Sequence, residues 1–390
     1  MKDLNPVITG RKTSIFEVMS RLAIENDAIN LGQGFPDQDG PEDVRRVAAE
    51  ATVEGPNQYP PMMGVPALRQ AAADALQRHY GLSYDPGEEI LVTAGATEAL
   101  AAAFSAFITP GAGEEAVIFE PAYDAYFDMV EGAGGVVKPV PLTAPDWALD
   151  EEALDAAIGP ETKLIVLNTP VNPVGKVFTQ ADLEAVAKRA LEHDLIVVSD
   201  EVYEHMCFDG RRHRSIAALP GMRERTVRMG SAGKTFSLTG WKVGYTAGPP
   251  DLIAAMARAH QYLTFATPPS LQKAVAYGLN KDTAYFDGLA ADMQASRDRL
   301  ARGLTEAGFG VLPAEGTYFL TADIAPLGFD DDVEFCRRIA SEAKVAGVPV
   351  SAFYHATNAA PPRNFVRFCF AKQDTVLDAA ADRLRSWIDR

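Results

Sequence analysis

From residue 88 to residue 247 the chain repeats one pattern: a short apolar run, a turn of small residues, then a stretch with helical spacing. The runs are 90–93, 116–119, 136–140, 163–167, 195–199, 225–229 and 243–247. Most are continuous in apolar residues rather than alternating, as strands buried on both faces are. Strands joined through helices run mostly parallel, because the helix makes the long crossover and covers the sheet. The expected fold class is α/β: a large domain with a mostly parallel seven-stranded sheet covered by helices. Ligands in such a sheet sit beyond the carboxyl ends of its strands. The residues at those ends therefore matter most.

The flanks read differently. After residue 285 come a long helix to about 307, a strand at 317–324 and an amphipathic helix at 331–343. Strands at 348–353 and 365–370 and a closing helix at 375–388 complete a smaller α+β unit. Before the repeat, 14–24 reads as an amphipathic helix with Ile15, Val18, Met19 and Leu22 on one side and Phe16 off that stripe. A glycine-rich turn follows at 31–36, where Gly34 is free to offer a backbone N–H. Helices are expected from Pro41 to about Val53 and at 65–80, with a loop containing Tyr59 between them. The division expected is an N-terminal segment, 1–45, packing with the small domain, a large domain at 46–284 and a small domain at 285–390.

Composition closes off several functions. The 390 residues carry a net charge of -17, which opposes binding to nucleic acid or an anionic membrane. Three cysteines are scattered without a CxxC pair, as suits the cytoplasm, and six histidines show no metal-ligand spacing. The first fourteen residues hold no apolar signal core, and no run is long enough to span a bilayer. No metal and no nucleic-acid or membrane partner is expected.

The strand at 225–229 leads into Gly230-Ser231-Ala232-Gly233 and then Lys234, with Lys242 eight positions on. Small residues permit a sharp turn and close approach. A lysine held there among apolar groups is poorly solvated, so its pKa falls and its lone pair is free to attack a carbonyl. The phrase GKT is not a phosphate-binding P-loop, since Arg228 stands where that motif needs glycine. Likewise Gly111–Ala116 matches G-x-G-x-x-A, but it precedes a strand and follows a helix, the reverse of the dinucleotide fingerprint.

Other strand ends carry complementary chemistry. Gly95-Ala96-Thr97 is a turn that opens an alanine-rich helix, and a strand, a turn and a helix N-terminus make an anion site. Asn172 lies between Pro170 and Pro173, and Tyr123 follows the strand at 116–119. Asp200 follows an apolar run, and as a buried carboxylate it requires a cationic partner. Tyr203 is three residues on. Arg367 sits inside the apolar strand 365–370, where its planar fork suits a carboxylate. An imine-forming amine, a buried acid, a phenol, an amide, a phosphate cradle and a carboxylate clamp together fit pyridoxal phosphate acting on an amino acid.

At these residues the chain resembles the fold-type I, class I aminotransferases, near the kynurenine/glutamine and methionine aminotransferase group. The resemblance runs through LGQGFPD, NQY, VTAGATEAL, EPAYDAY, NTPVNPVGKVF, SDEVYEH, GSAGKTFSLTGWKVG, EGTYFL and RFCFAK, nearly the whole chain. It implies that Lys234 carries the cofactor as a Schiff base and moves the substrate proton, and that Asp200 pairs with the pyridine nitrogen. Tyr203 and Asn172 would bond the ring oxygen, and Tyr123 would stack on the ring. Ala96, Thr97, Ser231 and Lys242 would hold the phosphate, with Tyr59 reaching the neighbouring subunit's phosphate in a homodimer. Arg367, with Asn172 and Gly34, would clamp the substrate carboxylate. Phe16 and the other subunit's Phe265 would line the side-chain pocket. Many relatives have arginine where this chain has Lys242. No second arginine is assignable to a distal carboxylate, so the donor expected is neutral, sulfur-containing or aromatic. A cysteine-conjugate C–S β-lyase, an N-succinyldiaminopimelate aminotransferase and a catalytically idle cofactor-binding module of a regulator are the alternatives.

Overall fold

The computed structural model describes residues 4, 9–11 and 13–390. Most of the N-terminal stretch read for a signal core lies outside the described residues. Every apolar run of the repeat is a strand: β1 (Ile90–Thr93), β2 (Glu115–Glu120), β3 (Val136–Thr143), β5 (Thr162–Asn168), β6 (Ile196–Asp200), β7 (Thr226–Ser231) and β8 (Gly244–Ala247). A two-residue edge strand, β4 (Ala148–Leu149), makes the sheet eight-stranded, in the order β1-β8-β7-β6-β5-β2-β3-β4. The pairs from β7 through β3 are parallel, whereas β8 runs antiparallel to both β1 and β7.

Both faces are covered, and the alternation of side chains across a strand shows it. Leu164 and Val166 of β5 join one core cluster, while Ile165 and Leu167 join the cluster on the opposite face. This is why the sequence reads as a continuous apolar run. The helix α2 (Gly95–Phe107) packs on the first face through Ala99, Ala103 and Phe104. It begins at Gly95, so the segment read as a separate turn is its first turn.

A second, four-stranded antiparallel sheet has the order β9-β10-β12-β11, with β9 (Gly310–Val311), β10 (Phe319–Asp323), β11 (Val348–Pro349) and β12 (Phe365–Cys369). The expected strand at 348–353 is only two residues long, and Val350–Phe353 is a 3-10 turn. Pro349 has no N–H to extend the ladder. The Ser351 N–H and hydroxyl instead bond the Asp332 carboxylate at 2.8 and 2.7 Å.

Residues 15–31 pack on this second unit. Ile29 and Asn30 pair in parallel with Val345 and Ala346, and Met19 and Leu31 join the core around Phe319 and Phe368. The helix α1 (Ile15–Glu25) is rotated from its expected setting. Val18 is 40% exposed, while Ser20 and Ala23 are buried with Met19. Ser20 can be buried because its hydroxyl accepts a hydrogen bond from Gln33 Nε2. That rotation turns Phe16 inward over Arg367, whose guanidinium lies 5.1 Å from its ring centre.

Candidate active site

The topology brings one end of six strands to a single place. The carboxyl ends of β1, β2, β5, β6 and β7 lie there. So does the amino end of the reversed β8. The chain leaving them supplies Ala96 and Thr97, Tyr123, Asn168 and Asn172, Asp200 and Tyr203, and Ser231 and Lys234, while Lys242 precedes β8. These residues, with Phe16, Gly34 and Arg367 from the second unit, line one cavity of about 370 Å³. Two glycines make the approach possible. A Cβ on Gly244 would lie 2.8 Å from the Gly95 carbonyl carbon, and one on Gly34 would lie 2.4 Å from the Phe319 ring.

Lys234 keeps accessible surface where it faces the cavity, but its amine is enclosed by protein. Nζ donates to the Gly34 carbonyl at 3.3 Å and lies 5.4 Å from the ring centres of both Tyr203 and Tyr318. Burial lowers its pKa from 10.5 to about 8, because charge is costly where water is excluded. About a tenth of the amine is then neutral at pH 7, against well under one in a thousand for an ordinary lysine. The helical turn that carries it, Ala232–Thr235, is pinned by the Tyr318 hydroxyl, which donates to the Lys234 carbonyl at 3.0 Å.

Asp200 is 5% exposed, and burial raises its pKa. Oδ2 accepts from the Tyr126 hydroxyl at 2.7 Å, and Oδ1 from the Val202 N–H at 3.3 Å. The two glutamates that share its motif turn to the other side of the sheet. Glu201 bonds Arg228 and His213 there at 2.8 and 2.7 Å, and Glu204 bonds Arg228 as well. Of these three acids, only Asp200 lines the cavity.

At the N-terminus of α2, Glu98 points backwards to the Ala94 N–H at 2.9 Å and to His260, also at 2.9 Å. That carboxylate is matched by His260, whose pKa it raises, and the amides of the first turn have no acceptor within the helix. Lys242, held in a left-handed conformation at φ 52°, brings Nζ to 3.5 Å from the Thr97 hydroxyl. Ser231 lines the same corner. Tyr123 stands beside it, and burial pushes its hydroxyl up to about 12, so it is neutral at physiological pH.

Arg367 lines the same cavity from the second unit. It is fully buried, yet both of its hydrogen-bond acceptors are neutral: Asn172 Oδ1 at 2.9 Å and the Gly32 carbonyl at 2.7 Å. Its Nε has no partner. Its plane lies 3.9 Å from the Phe319 ring centre, and burial lowers its pKa to about 10. A buried cation matched only by neutral acceptors and an aromatic floor is set to receive an anion. Because the Asn172 oxygen is used by Arg367, its amide N–H groups remain as donors.

Two expected residues lie elsewhere on the chain. Tyr59 is 88% exposed and Phe265 38% exposed, and they pack edge-on against each other at 5.7 Å, outside the cavity. Conversely, Tyr126, Asn168, Gln33 and Phe319 line the cavity without having been singled out in the sequence. Tyr126 carried a faint signal, standing three residues after Tyr123 at a strand end. Asn168 is the last residue of β5, and its amide donates to the Asp200 carbonyl at 2.9 Å while its oxygen accepts from the Asn172 N–H at 2.7 Å.

A family model for the class I and II aminotransferases matches residues 26–384. The chain belongs to that family. It is therefore a transaminase, whose substrates are amino acids and oxo acids. It is 45% identical to a probable N-succinyldiaminopimelate aminotransferase of Mycobacterium tuberculosis over 97% of each chain. It is 43% identical to a methionine aminotransferase of Escherichia coli, over 98% of this chain and 99% of that one. A mouse kynurenine–oxoglutarate transaminase is 37% identical, over 97% of this chain and 89% of that one. The solved Mycobacterium tuberculosis N-succinyldiaminopimelate aminotransferase superposes with a TM-score of 0.95 at 44% identity, covering 99% of this chain and all of that one. Among the described residues of this aminotransferase no helix is long and apolar enough to cross a membrane, and no cluster of His, Cys, Asp or Glu is placed to hold a metal ion.

Proposed function

We propose that this transaminase uses pyridoxal phosphate, joined through Lys234, to move the amino group of a neutral, sulfur-containing or aromatic L-amino acid to a 2-oxo acid. The observation that carries the reading is the shared cavity. It brings together an enclosed amine, a buried carboxylate, a helix N-terminus beside a lysine and an under-partnered arginine. Asp200 would meet the ring nitrogen and Tyr203 and Asn172 the ring oxygen. Tyr123 would cover the ring face. The Ala96 and Thr97 amides, Ser231 and Lys242 would hold the phosphate. When bound, the cofactor supplies an electron sink for the substrate's α-carbon.

The rest is work for this chain's own side chains. Arg367 and the Asn172 amide hold the substrate carboxylate, which fixes the α-carbon beside Lys234. Nζ, tuned close to neutrality, would take the proton from that carbon and hold it for delivery to the cofactor's C4′ rather than back to the carbon it came from. The first oxo acid leaves before the second substrate enters, in ping-pong order. The apolar wall of Phe16, Phe35 and Phe319 favours uncharged side chains, and Arg367 is the only arginine among the described lining residues. We place Tyr59 and Phe265 at the cavity of a second copy, in a homodimer. Their exposure, beside exposed Tyr262 and Leu263, supports that placement. The reading also takes 46–284 as the cofactor-binding domain and 285–390, with 1–45, as the second. It places the enzyme in the cytoplasm, which suits three unpaired cysteines.

A panel of donors tests the substrate class: methionine, kynurenine, phenylalanine, aspartate and N-succinyldiaminopimelate, each against several oxo acids. Higher kcat/KM for the uncharged donors supports it, and a preference for the succinylated donor or aspartate overturns it. Pyruvate released from a cysteine conjugate without any oxo acid would instead mark a β-lyase.

A further inference from the structure

Tyr126 lies in the first turn of α3 (Ala125–Gly132) and is 2% exposed. Its ring is wedged in the core with Ala122, Phe127 and Val130 and meets Tyr123 edge-on at 5.5 Å. Phenylalanine would fill that space equally well, so packing does not account for the hydroxyl. The hydroxyl donates to Asp200 Oδ2 at 2.7 Å. Among the described residues Asp200 has no ion-pair partner, and its other oxygen receives only the longer bond from Val202, at 3.3 Å. Burial drives Asp200 towards the protonated form, and the Tyr126 hydroxyl is the foremost influence opposing that. A carboxylate has about four acceptor positions, so two donors leave lone pairs facing the cavity that both residues line.

We propose that Tyr126 is a positioning residue of this aminotransferase. Its hydroxyl fixes the Asp200 carboxylate in the orientation that presents a cavity-facing oxygen to the cofactor's ring nitrogen. The proposal rests on the cavity being a pyridoxal phosphate site. Tyr126 touches neither substrate nor cofactor in this role. It acts through Asp200, keeping it ionised and keeping its plane from turning.

The test compares wild type, Tyr126→Phe, Asp200→Asn and the double variant, each as the full chain. The first readout is the dissociation constant of pyridoxal phosphate. The second is the pH midpoint of the Asp200 carboxyl C=O band in the cofactor-free protein, identified as the infrared band absent from Asp200→Asn. Tyr126→Phe should weaken cofactor binding about tenfold or more, the worth of a hydrogen bond to a charged group. It should also move the carboxyl midpoint upward. In the Asp200→Asn background the same substitution should cost much less, because the charge is gone. Equal losses in both backgrounds, unchanged affinity or an unmoved midpoint would overturn the proposal. If Tyr126→Phe does not fold, the double variant against Asp200→Asn decides: a tenfold loss there refutes the role, and a small one supports it. Failure of the wild type to take up the cofactor at Lys234 would defeat the cofactor reading. Normal uptake by wild type and Tyr126→Phe alike would defeat only the role of Tyr126.

Discussion

Arg367→Met separates function from stability at the carboxylate end of the cavity. Methionine keeps the apolar stem over Phe319 and removes the guanidinium. A buried charge without a counter-charge costs the fold several kcal/mol, and that cost disappears. Against it, Asn172 Oδ1 and the Gly32 carbonyl lose donors now 2.9 and 2.7 Å away. Each orphaned acceptor costs about 1–3 kcal/mol. The two effects oppose each other and are similar in size, so the net stability change should lie within about 2 kcal/mol of zero. Binding has no such compensation. Removing one partner of a buried ion pair costs about 3–5 kcal/mol, so the half-saturating amino acid concentration should rise about 100- to 4,000-fold. Steady-state kinetics with varied donor, together with urea unfolding of the same preparation, reads both quantities. Unchanged saturation, or a loss of stability large enough to explain the kinetic defect, would refute the reasoning.

Lys234→Ala should abolish transamination while leaving the fold intact, since a buried amine is replaced by a small apolar group; near-normal turnover would contradict its role. The lowered pKa of Lys234 gives a pH prediction with a definite sign. Only the neutral amine attacks an aldehyde, so covalent capture of pyridoxal phosphate should accelerate as pH rises and level off above a midpoint near 8. A midpoint near the ordinary lysine value of 10.5 would show that the amine is not desolvated. For the shared site, Lys234→Ala and Tyr59→Ala proteins are mixed, dissociated and reassociated. Hybrid dimers carry one intact site, so roughly a quarter of the sites should regain activity. No recovery would place Tyr59 outside the partner's site.

The order of elements was legible because both faces of the large sheet are buried. Ile165 and Leu167 on one side and Leu164 and Val166 on the other leave no polar position to blur the strand. The site was legible where apolar strands carry residues out of keeping with their surroundings, as Asp200 does at the end of β6 and Arg367 in the middle of β12. What could not be read was set by contacts distant in sequence. The setting of α1 depends on Ser20 meeting Gln33, so helical periodicity alone put Val18 inside and Phe16 off the stripe. The strand after Val348 ended early because Asp332 captured the Ser351 N–H. Tyr126 escaped notice because a tyrosine in an apolar helix reads as core until its hydroxyl is seen to meet a carboxylate from another strand.

The central claim is that one amine, Lys234 Nζ, holds the cofactor. Borohydride reduction of the cofactor-loaded enzyme, followed by peptide mass spectrometry, tests it most directly. The account predicts a phosphopyridoxyl mass on Lys234 alone. An adduct on Lys242 or elsewhere, with Lys234 unmodified, would contradict it.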